Sequence, residues 1–309
     1  MRHIEDVPWW ICDEGDNNNC IYSDTDSIYV HAEPLLRFLF EDFDEMPSDQ
    51  KDNELEKIAL YYQDYITDSY SELALNCFNI PTHRLEMKTE AVIRSAYFRA
   101  TRRYAQWITK QEGIVKEKLD IKGLEYKKAN FPKVLGKFFQ QTLEDVLKGL
   151  NKEEVDKRVL ELRTQILDGS ISLIELGNPT AVKKLTTYTG RKPKPGEMFT
   201  QLLKGAPVGV KAAVAYNDLI RFWKLNDKHS YIAQGDKIKY IYLKPNPYQL
   251  ETIGILDFDL PEKVREFMET YADRQKIFDS IMANKLEGFY MDLGWSYNLN
   301  THINKFFTF

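Results

Sequence analysis

Hydrophobic and polar residues alternate along two stretches in the first half of the chain, and this period of two is typical of β-strands. In the first stretch, CIYSDTDSIYV at 20–30, Ile21, Ile28 and Val30 flank a polar centre. The pattern predicts a β-hairpin with acidic residues at its tip. The second stretch, 84–124, alternates through successive segments and carries a turn signal, QEG, at 111–113. It predicts a small antiparallel sheet.

Apolar residues recur at helical spacing through much of the remaining chain. In 53–77, for example, Leu55, Ile58, Tyr62 and Ile66 lie three or four positions apart. Proline suits the first turn of a helix and glycine suits the position just after its end. The sequence accordingly predicts helices at 53–77, after Pro132, at 152–167 before Gly169, at 209–223 and at 261–282, with a strand at 236–243.

These elements predict an α+β fold, in which a partial antiparallel sheet with packing helices is followed by a mostly helical region. We expect a first domain over 1–125 and a second over 126–309. The chain has 309 residues, 43% of them hydrophobic, which is enough to bury a sizeable core. In the second domain, RKPKPG at 191–196 predicts an irregular link.

The net charge of −5 gives no overall sign of nucleic-acid binding, but the charges are unevenly distributed. Between 84 and 137 there are fourteen Lys and Arg against six Asp and Glu. These cations alternate with aromatic residues such as Tyr97, Phe98 and Tyr104, which favours a phosphate-facing surface over a merely solvated one. Between 33 and 57 the balance is reversed, nine acidic against three basic, and there we predict an ordinary solvated face.

The three cysteines, Cys12, Cys20 and Cys77, are odd in number and lack paired metal-ligand spacing. We therefore expect neither a disulfide framework nor a zinc site. We expect a reducing, cytoplasmic location. The first residues lack a basic region followed by an apolar core, and no uncharged apolar run is long enough to span a membrane. We expect a soluble protein.

Asp24 and Asp26 are the candidate metal ligands. Two residues apart in extended backbone, their side chains would point to the same face of the sheet. Converging carboxylates suit Mg²⁺, and phosphoryl transfer commonly uses two such ions. A DxD pair alone is a weak signal, because surface turns and sugar-nucleotide transferases also contain it. The apolar flanks favour a metal site, since a cation would offset the repulsion between two carboxylates held together.

The hexapeptide YSDTDS at 22–27 resembles the YxDTDS motif of family B DNA polymerases, a palm-domain hairpin that carries metal-binding carboxylates. The resemblance implies that Asp24 and Asp26 are catalytic and bind two Mg²⁺ ions, with Asp26 the principal ligand. Ser23 stands where relatives have Gly or Ala, a small change.

Two further segments resemble the same family. TRRYA at 101–105 is similar to the KKRYA element, whose basic residues and tyrosine contact the minor groove of primer-template DNA, although Thr101 replaces its first lysine. KGLE at 122–125, followed by Lys127 and Lys128, resembles the segment that leads from palm into thumb in T-even-type phage polymerases. The implied DNA contacts are Arg102, Arg103, Tyr104, Lys122, Lys127 and Lys128. We also expect Arg102 and Arg103 to project to opposite faces of a strand.

The resemblance continues at 209–220, 235–246 and LEGFY at 286–290, so it runs from about Cys12 to the last residue. The final INKFFTF is similar to the peptide by which those phage enzymes dock into a sliding clamp. The implied anchors are Ile303, Phe306, Phe307 and Phe309. A tail folded back onto its own core is the alternative.

A polymerase of this family also needs an upstream DxxSLYP aspartate and a fingers domain that binds deoxynucleoside triphosphates, and neither motif occurs here. The sequence therefore suggests the C-terminal, palm-plus-thumb subunit of a split phage polymerase, with the third metal-binding aspartate on an N-terminal partner chain. Trp9, Trp10 and Ile11 would either contact that partner or pack on the same sheet. The alternatives to a natural split are an intron-interrupted or truncated gene product. The alternatives to a polymerase subunit are a non-catalytic DNA- and clamp-binding remnant and an unrelated DxD transferase.

Overall fold

The computed structural model describes residues 19–24, 26–125, 129–190 and 199–297. Within these residues the chain forms three small β-sheets accompanied by helices, and this confirms the predicted α+β class. The chain divides into two compact units, which are described separately below. The first comprises Met1–Tyr97 and Ala105–Asp120, and the second comprises Phe98–Tyr104 and Ile121–Phe309.

The first unit begins with the predicted hairpin. Strands β1 (Cys20–Asp24) and β2 (Ser27–Val30) are antiparallel, with Asp24 opposite Ser27 and Tyr22 opposite Tyr29. The register shifts between Cys20 and Tyr22, so Ile21 forms a bulge. Since a two-residue connection joins the strands, the acidic residues lie at the tip as expected.

Two helices follow, α1 (Glu33–Leu39) and the 31-residue α2 (Ser48–Phe78). The prediction of a helix at 53–77 is confirmed, and α2 is slightly longer at both ends. The first turns of α2 close a small core over α1, whereas its last three turns bury little besides Ala74. The buried residues of this core are Leu35, Leu36, Leu39, Phe40, Phe43, Met46 and Ile58.

After α2 the chain turns at Asn79, whose φ is 52°, and runs back along the helix. Met87 N–H donates to Thr67 Oγ1 (3.1 Å) and Thr89 N–H donates to Gln63 Oε1 (2.8 Å), four residues apart on α2. The strand expected from residue 84 was wrong over 84–90, because backbone groups there bind helix side chains instead of a neighbouring strand.

The second sheet has the order β3 (Ala91–Ala100), β4 (Arg103–Gln111) and β5 (Ile114–Lys122). Glu112 and Gly113, between β4 and β5, both have positive φ, as a two-residue hairpin of type I′ requires. The predicted turn at 111–113 is therefore confirmed. Ion pairs Arg94–Asp52 (2.5 Å) and Lys110–Glu56 (2.6 Å) join this sheet to α2.

The second unit contains a third sheet, of order β6-β7-β8, in which neighbouring strands are antiparallel. Its strands are β6 (Asn178–Ala181), β7 (Lys237–Tyr242) and β8 (Thr252–Ile255). Its helices are α3 (Lys133–Leu147), α4 (Lys152–Asp168), α5 (Leu173–Leu176), α6 (Leu185–Tyr188), α7 (Val208–Phe222), α8 (Glu262–Tyr271), α9 (Arg274–Phe278) and α10 (Asn284–Asp292), the last preceded by a π-helical turn (Asp279–Ala283).

The helix-boundary signals in this unit are confirmed. Pro132 caps α3, and Gly169, in the left-handed conformation, ends α4. Asn151 forms a capping box with Glu154 at the start of α4. The single helix expected at 261–282 was wrong, because Asp273 N–H donates to the Tyr242 carbonyl at the end of β7 (2.9 Å) and so separates α8 from α9.

Helix α7 covers β8 and buries Tyr216 completely. Asp259, in the loop after β8, binds the loop that follows α7. Its Oδ1 lies 2.5 Å from His229 Nδ1, and its Oδ2 accepts from Ser230 N–H at 2.7 Å. The hydrogen bond with His229, followed by that from Ser230, lowers the pKa of Asp259. The ionised carboxylate therefore stabilises the folded state. Among the described residues, no helix is long and apolar enough to cross a membrane.

We predict that Asp259→Asn lowers the free energy of unfolding by about 1.5–3 kcal/mol at neutral pH, the range for hydrogen bonds to a charged group. Because the folded-state pKa is the lower one, this stabilisation is complete above the unfolded pKa of about 3.9 and is lost as the pH falls below it. Urea denaturation of both proteins across that range measures the difference.

The matched control is Asp257→Asn, because the Asp257 side chain is 62% exposed in its pair with Lys239. A loss of only about 0–1 kcal/mol is expected there. If the difference in free energy of unfolding between wild type and Asp259→Asn stayed constant as the pH was lowered below about 3.9, the ionised carboxylate would not be the stabilising species.

Candidate functional site

The acidic tip of the β1–β2 hairpin is the first candidate region. Asp24 is the last residue of β1 and is half-buried, whereas Asp26 is exposed in the turn. The Asp24 carbonyl accepts from Asp26 N–H (2.6 Å) and from Ser27 Oγ (3.2 Å), which closes the turn. Because β1 ends at Asp24 and Asp26 is a turn residue, strand alternation does not set the direction of the Asp26 side chain, contrary to expectation.

The acidic tip fits Mg²⁺ in the type of atom that it offers. Magnesium is usually held by one or two carboxylates, with water and substrate phosphates as the other ligands. Asp24 and Asp26 supply two carboxylates on a short, exposed turn. No group of three or more His, Cys, Asp or Glu that could hold a metal occurs in the described part of the chain.

The two faces of the hairpin differ in character. Tyr22 and Tyr29 lie on the face of Asp24, with ring centroids 5.5 Å apart. Ile28 and Val30 are 45% and 48% exposed, and Ile21 in the bulge is 51% exposed. A two-stranded hairpin is marginally stable by itself, and apolar residues on an exposed strand favour pairing with further structure.

The second candidate region is the segment Phe98–Tyr104, here called the basic turn, which belongs to the second unit. Arg102 lies in the connection between β3 and β4 with φ of 60°, and Arg103 is the first residue of β4. Both are exposed, while the half-buried Tyr104 packs against Phe98 with ring centroids 5.4 Å apart. The expectation that the two arginines occupy opposite faces of a strand was wrong, because Arg102 is a turn residue.

Gly123 brings the segment after β5 against the basic turn. Its φ is 62°, and a Cβ atom there would overlap the carbonyl oxygen of Arg102 and lie 3.3 Å from Arg103 Cγ. Only glycine permits both this positive φ and this close approach without displacing the Arg102 backbone. Lys122, one residue earlier in the chain, is exposed, as are Arg102 and Arg103. The Gly123 contact thus joins the two segments that carry these three predicted DNA-binding cations.

Other cations of the basic stretch have structural roles that the charge count does not reveal. Arg94 binds Asp52, whose side chain is 9% exposed, and Lys110 is buried against Glu56 and Asn53. Sequence reasoning also missed Arg99, which pairs with Asp292 of α10 (3.6 Å). The available signal was the glycine of LEGFY, Gly288, since a Cβ there would lie 2.7 Å from Arg99 Nη2.

Several predicted site residues lie outside the described residues, and their roles stay predictions. They are Lys127, Lys128, Trp9, Trp10, Ile11, Ile303, Phe306, Phe307 and Phe309, together with the irregular link at 191–196.

Comparison with known proteins adds no relative to this geometry. No protein-family model matches the chain, and no curated protein matches it. Functional inference therefore depends on the motifs and on the two turns described above.

We predict that Gly123→Ala destabilises the second unit by more than the usual cost of alanine in the left-handed region, which is about 1–2 kcal/mol. The excess arises because the new methyl group meets the Arg102 backbone, which cannot rotate away as a side chain can. Chemical denaturation measures the loss.

The control is Gly294→Ala, because Gly294 has a similar φ of 69° and a methyl group there would meet nothing within 4 Å beyond its own neighbours in the chain. It should show only the conformational cost. Equal losses for the two substitutions would mean that the contact between Gly123 and Arg102 is unimportant.

Proposed function

We propose that this chain is the C-terminal subunit of a split family B DNA polymerase of the T-even-phage type. The observation that carries the proposal is the YSDTDS sequence at the tip of an antiparallel hairpin, with Asp24 at the end of a strand and Asp26 in the exposed turn. This is an arrangement in which the motif's carboxylates can bind metal beside a substrate. It favours nucleotidyl transfer over a solvated surface turn.

In this proposal Asp24 and Asp26 hold two Mg²⁺ ions together with an aspartate of the N-terminal partner chain. When bound, the metal activates the primer hydroxyl and stabilises charge on the triphosphate. The Asp24 carbonyl accepts from both Asp26 N–H and Ser27 Oγ, which closes the turn that carries the two carboxylates. The incoming deoxynucleoside triphosphate would bind mainly to the partner.

The basic turn would bind primer-template DNA. Arg102, Arg103 and Lys122 are exposed, and the Gly123 contact joins the two segments that carry them. Exposed cations attract the phosphate backbone, and binding to it releases the counterions condensed on the DNA. The half-buried Tyr104 is suited to an apolar or hydrogen-bonded contact with sugars in a groove.

The apolar surface of the first unit supports the existence of a partner chain. Of nineteen large apolar residues exposed in the described part of the chain, thirteen belong to this smaller unit. Such residues are the kind that an interface with a partner chain would bury. The thirteen residues are Ile21, Ile28, Val30, Leu60, Tyr61, Tyr65, Leu73, Leu75, Phe78, Ile80, Leu85, Ile114 and Val115.

A sliding clamp is the remaining proposed partner. The terminal INKFFTF would place Ile303, Phe306, Phe307 and Phe309 in an apolar pocket of the clamp, where aromatic anchors supply most of the binding energy.

We predict primer extension only when the chain is mixed with an N-terminal polymerase fragment that carries the DxxSLYP aspartate and the fingers domain. With Mg²⁺ and four deoxynucleotides, Asp26→Asn and Asp24→Asn should each lower the rate by more than about 100-fold, because each removes a metal ligand. Asp42→Asn, which removes an exposed carboxylate elsewhere in the first unit, should leave the rate unchanged. Complex formation without synthesis would favour the DNA-binding remnant, and full activity of Asp26→Asn would refute the metal site.

We also predict that Phe78→Glu weakens binding to that N-terminal fragment at least about tenfold, the effect of one interface anchor. Phe78 is 65% exposed at the end of α2, so the substitution should leave the fold intact. Phe258→Glu is the matched control, because Phe258 is 82% exposed but lies in the second unit. Titration calorimetry compares the affinities. Equal effects of the two substitutions would argue against this surface as the interface.

A further inference from the structure

Helix α10 presents one face to the two segments that carry the candidate DNA-binding cations. Lys285, Gly288 and Asp292 are spaced by three and four residues, which places them on one side of a helix. All three contact residues of the basic turn or of the segment after β5. These contacts lie within the second unit.

At one end of this face, Asp292 Oδ2 lies 3.6 Å from Arg99 Nε. Arg99 also lies against Gly288, where a Cβ atom would be 2.7 Å from Nη2. Arg99 is near the end of β3, three residues before Arg102. The start of the basic turn is therefore tied to α10.

At the other end, Lys285 Nζ lies 2.7 Å from Glu125 Oε2 and 5.4 Å from the centroid of the Phe131 ring. Glu125 is two residues after Gly123, which touches the Arg102 carbonyl. The segment that carries Lys122 is therefore tied to the same helix.

The opposite side of α10 is anchored in the core. Leu286, Phe289 and Tyr290 are buried, and the Tyr290 hydroxyl donates to Asp156 Oδ1 at 2.6 Å. Burial, followed by this hydrogen bond, raises the pKa of Tyr290, so the hydroxyl stays protonated and keeps donating. The helix can thus serve as a fixed support for the residues on its other face.

We propose that the pairs Arg99–Asp292 and Lys285–Glu125 are positioning residues that hold the basic turn and Lys122 in the orientation that binds duplex DNA. The inference rests on the proposed DNA-binding function. Both pairs are partly exposed and contribute little to global stability, as is usual for such ion pairs. Their effect is on the placement of Arg102, Arg103 and Lys122.

Substituting the acidic residue of each pair tests the proposal, because a pure charge effect and a positioning effect would change the DNA affinity in opposite directions. By charge alone, Asp292→Asn or Glu125→Gln makes the surface more positive and should strengthen binding to a polyanion. If the pairs position the cations, the same substitutions weaken binding, and we expect about a threefold to tenfold loss. Asp292→Glu, which keeps the charge, should restore most of the affinity.

The experiment measures the affinity of the full chain for a short primer-template DNA duplex over a range of salt concentrations. Glu262→Gln is the control, because it removes one carboxylate from a surface pair with Arg265 elsewhere in the second unit. Thermal denaturation of each variant checks the fold, and Glu125→Gln provides a second reading should Asp292→Asn unfold.

Arg103→Ala tests the DNA-binding surface separately from the positioning role of the two ion pairs. It should weaken binding and reduce the slope of log affinity against log salt by about one, as loss of one phosphate contact does. If Arg103→Ala and both acidic substitutions have no effect, the DNA-binding surface itself is wrong. If Arg103→Ala weakens binding but Asp292→Asn and Glu125→Gln leave it unchanged or strengthen it, the positioning role is overturned.

Discussion

The close approach of Gly123 to the Arg102 carbonyl constrains the surface that carries the candidate DNA contacts. A residue with a side chain would push the segment after β5 away from the basic turn, because the opposing atom belongs to the backbone. With glycine, the segment that carries Lys122 stays against the turn that carries Arg102 and Arg103. The backbone that carries these three exposed cations is therefore held by this close contact.

In the acidic hairpin of the first unit, backbone contacts likewise fix a turn that carries charged side chains, here of negative charge. Asp24 and Asp26 lie within one tight turn that is closed by hydrogen bonds to the Asp24 carbonyl. The turn places two carboxylates two residues apart, and a bound cation would offset the repulsion between them. Each turn therefore carries charge of one sign on a short segment.

Much of the secondary structure could be predicted because local signals agree with the fold. Alternation predicted both sheets of the first half, and Pro132, Gly169 and the 111–113 turn are local markers that act within a few residues. The errors arose where distant partners replaced local ones. Residues 84–90 bind side chains of α2, and the backbone of Asp273 binds β7, which interrupts the helix expected at 261–282.

The candidate site was less predictable than the fold, for the same reason. Residue types and spacing could single out Asp24, Asp26 and the arginines, but they could not show that Arg102 begins a turn with positive φ. Nor could they pair Lys285 with Glu125, which lies 160 residues earlier in the chain. A motif specifies the groups that do chemistry, whereas the residues that orient them are scattered along the sequence and carry only generic charge. Glycine is the exception, since Gly123 marks a close approach to the Arg102 backbone that a side chain would obstruct, and Gly288 marks a close approach to the end of the Arg99 side chain. Glycines next to a motif can therefore indicate what the motif packs against.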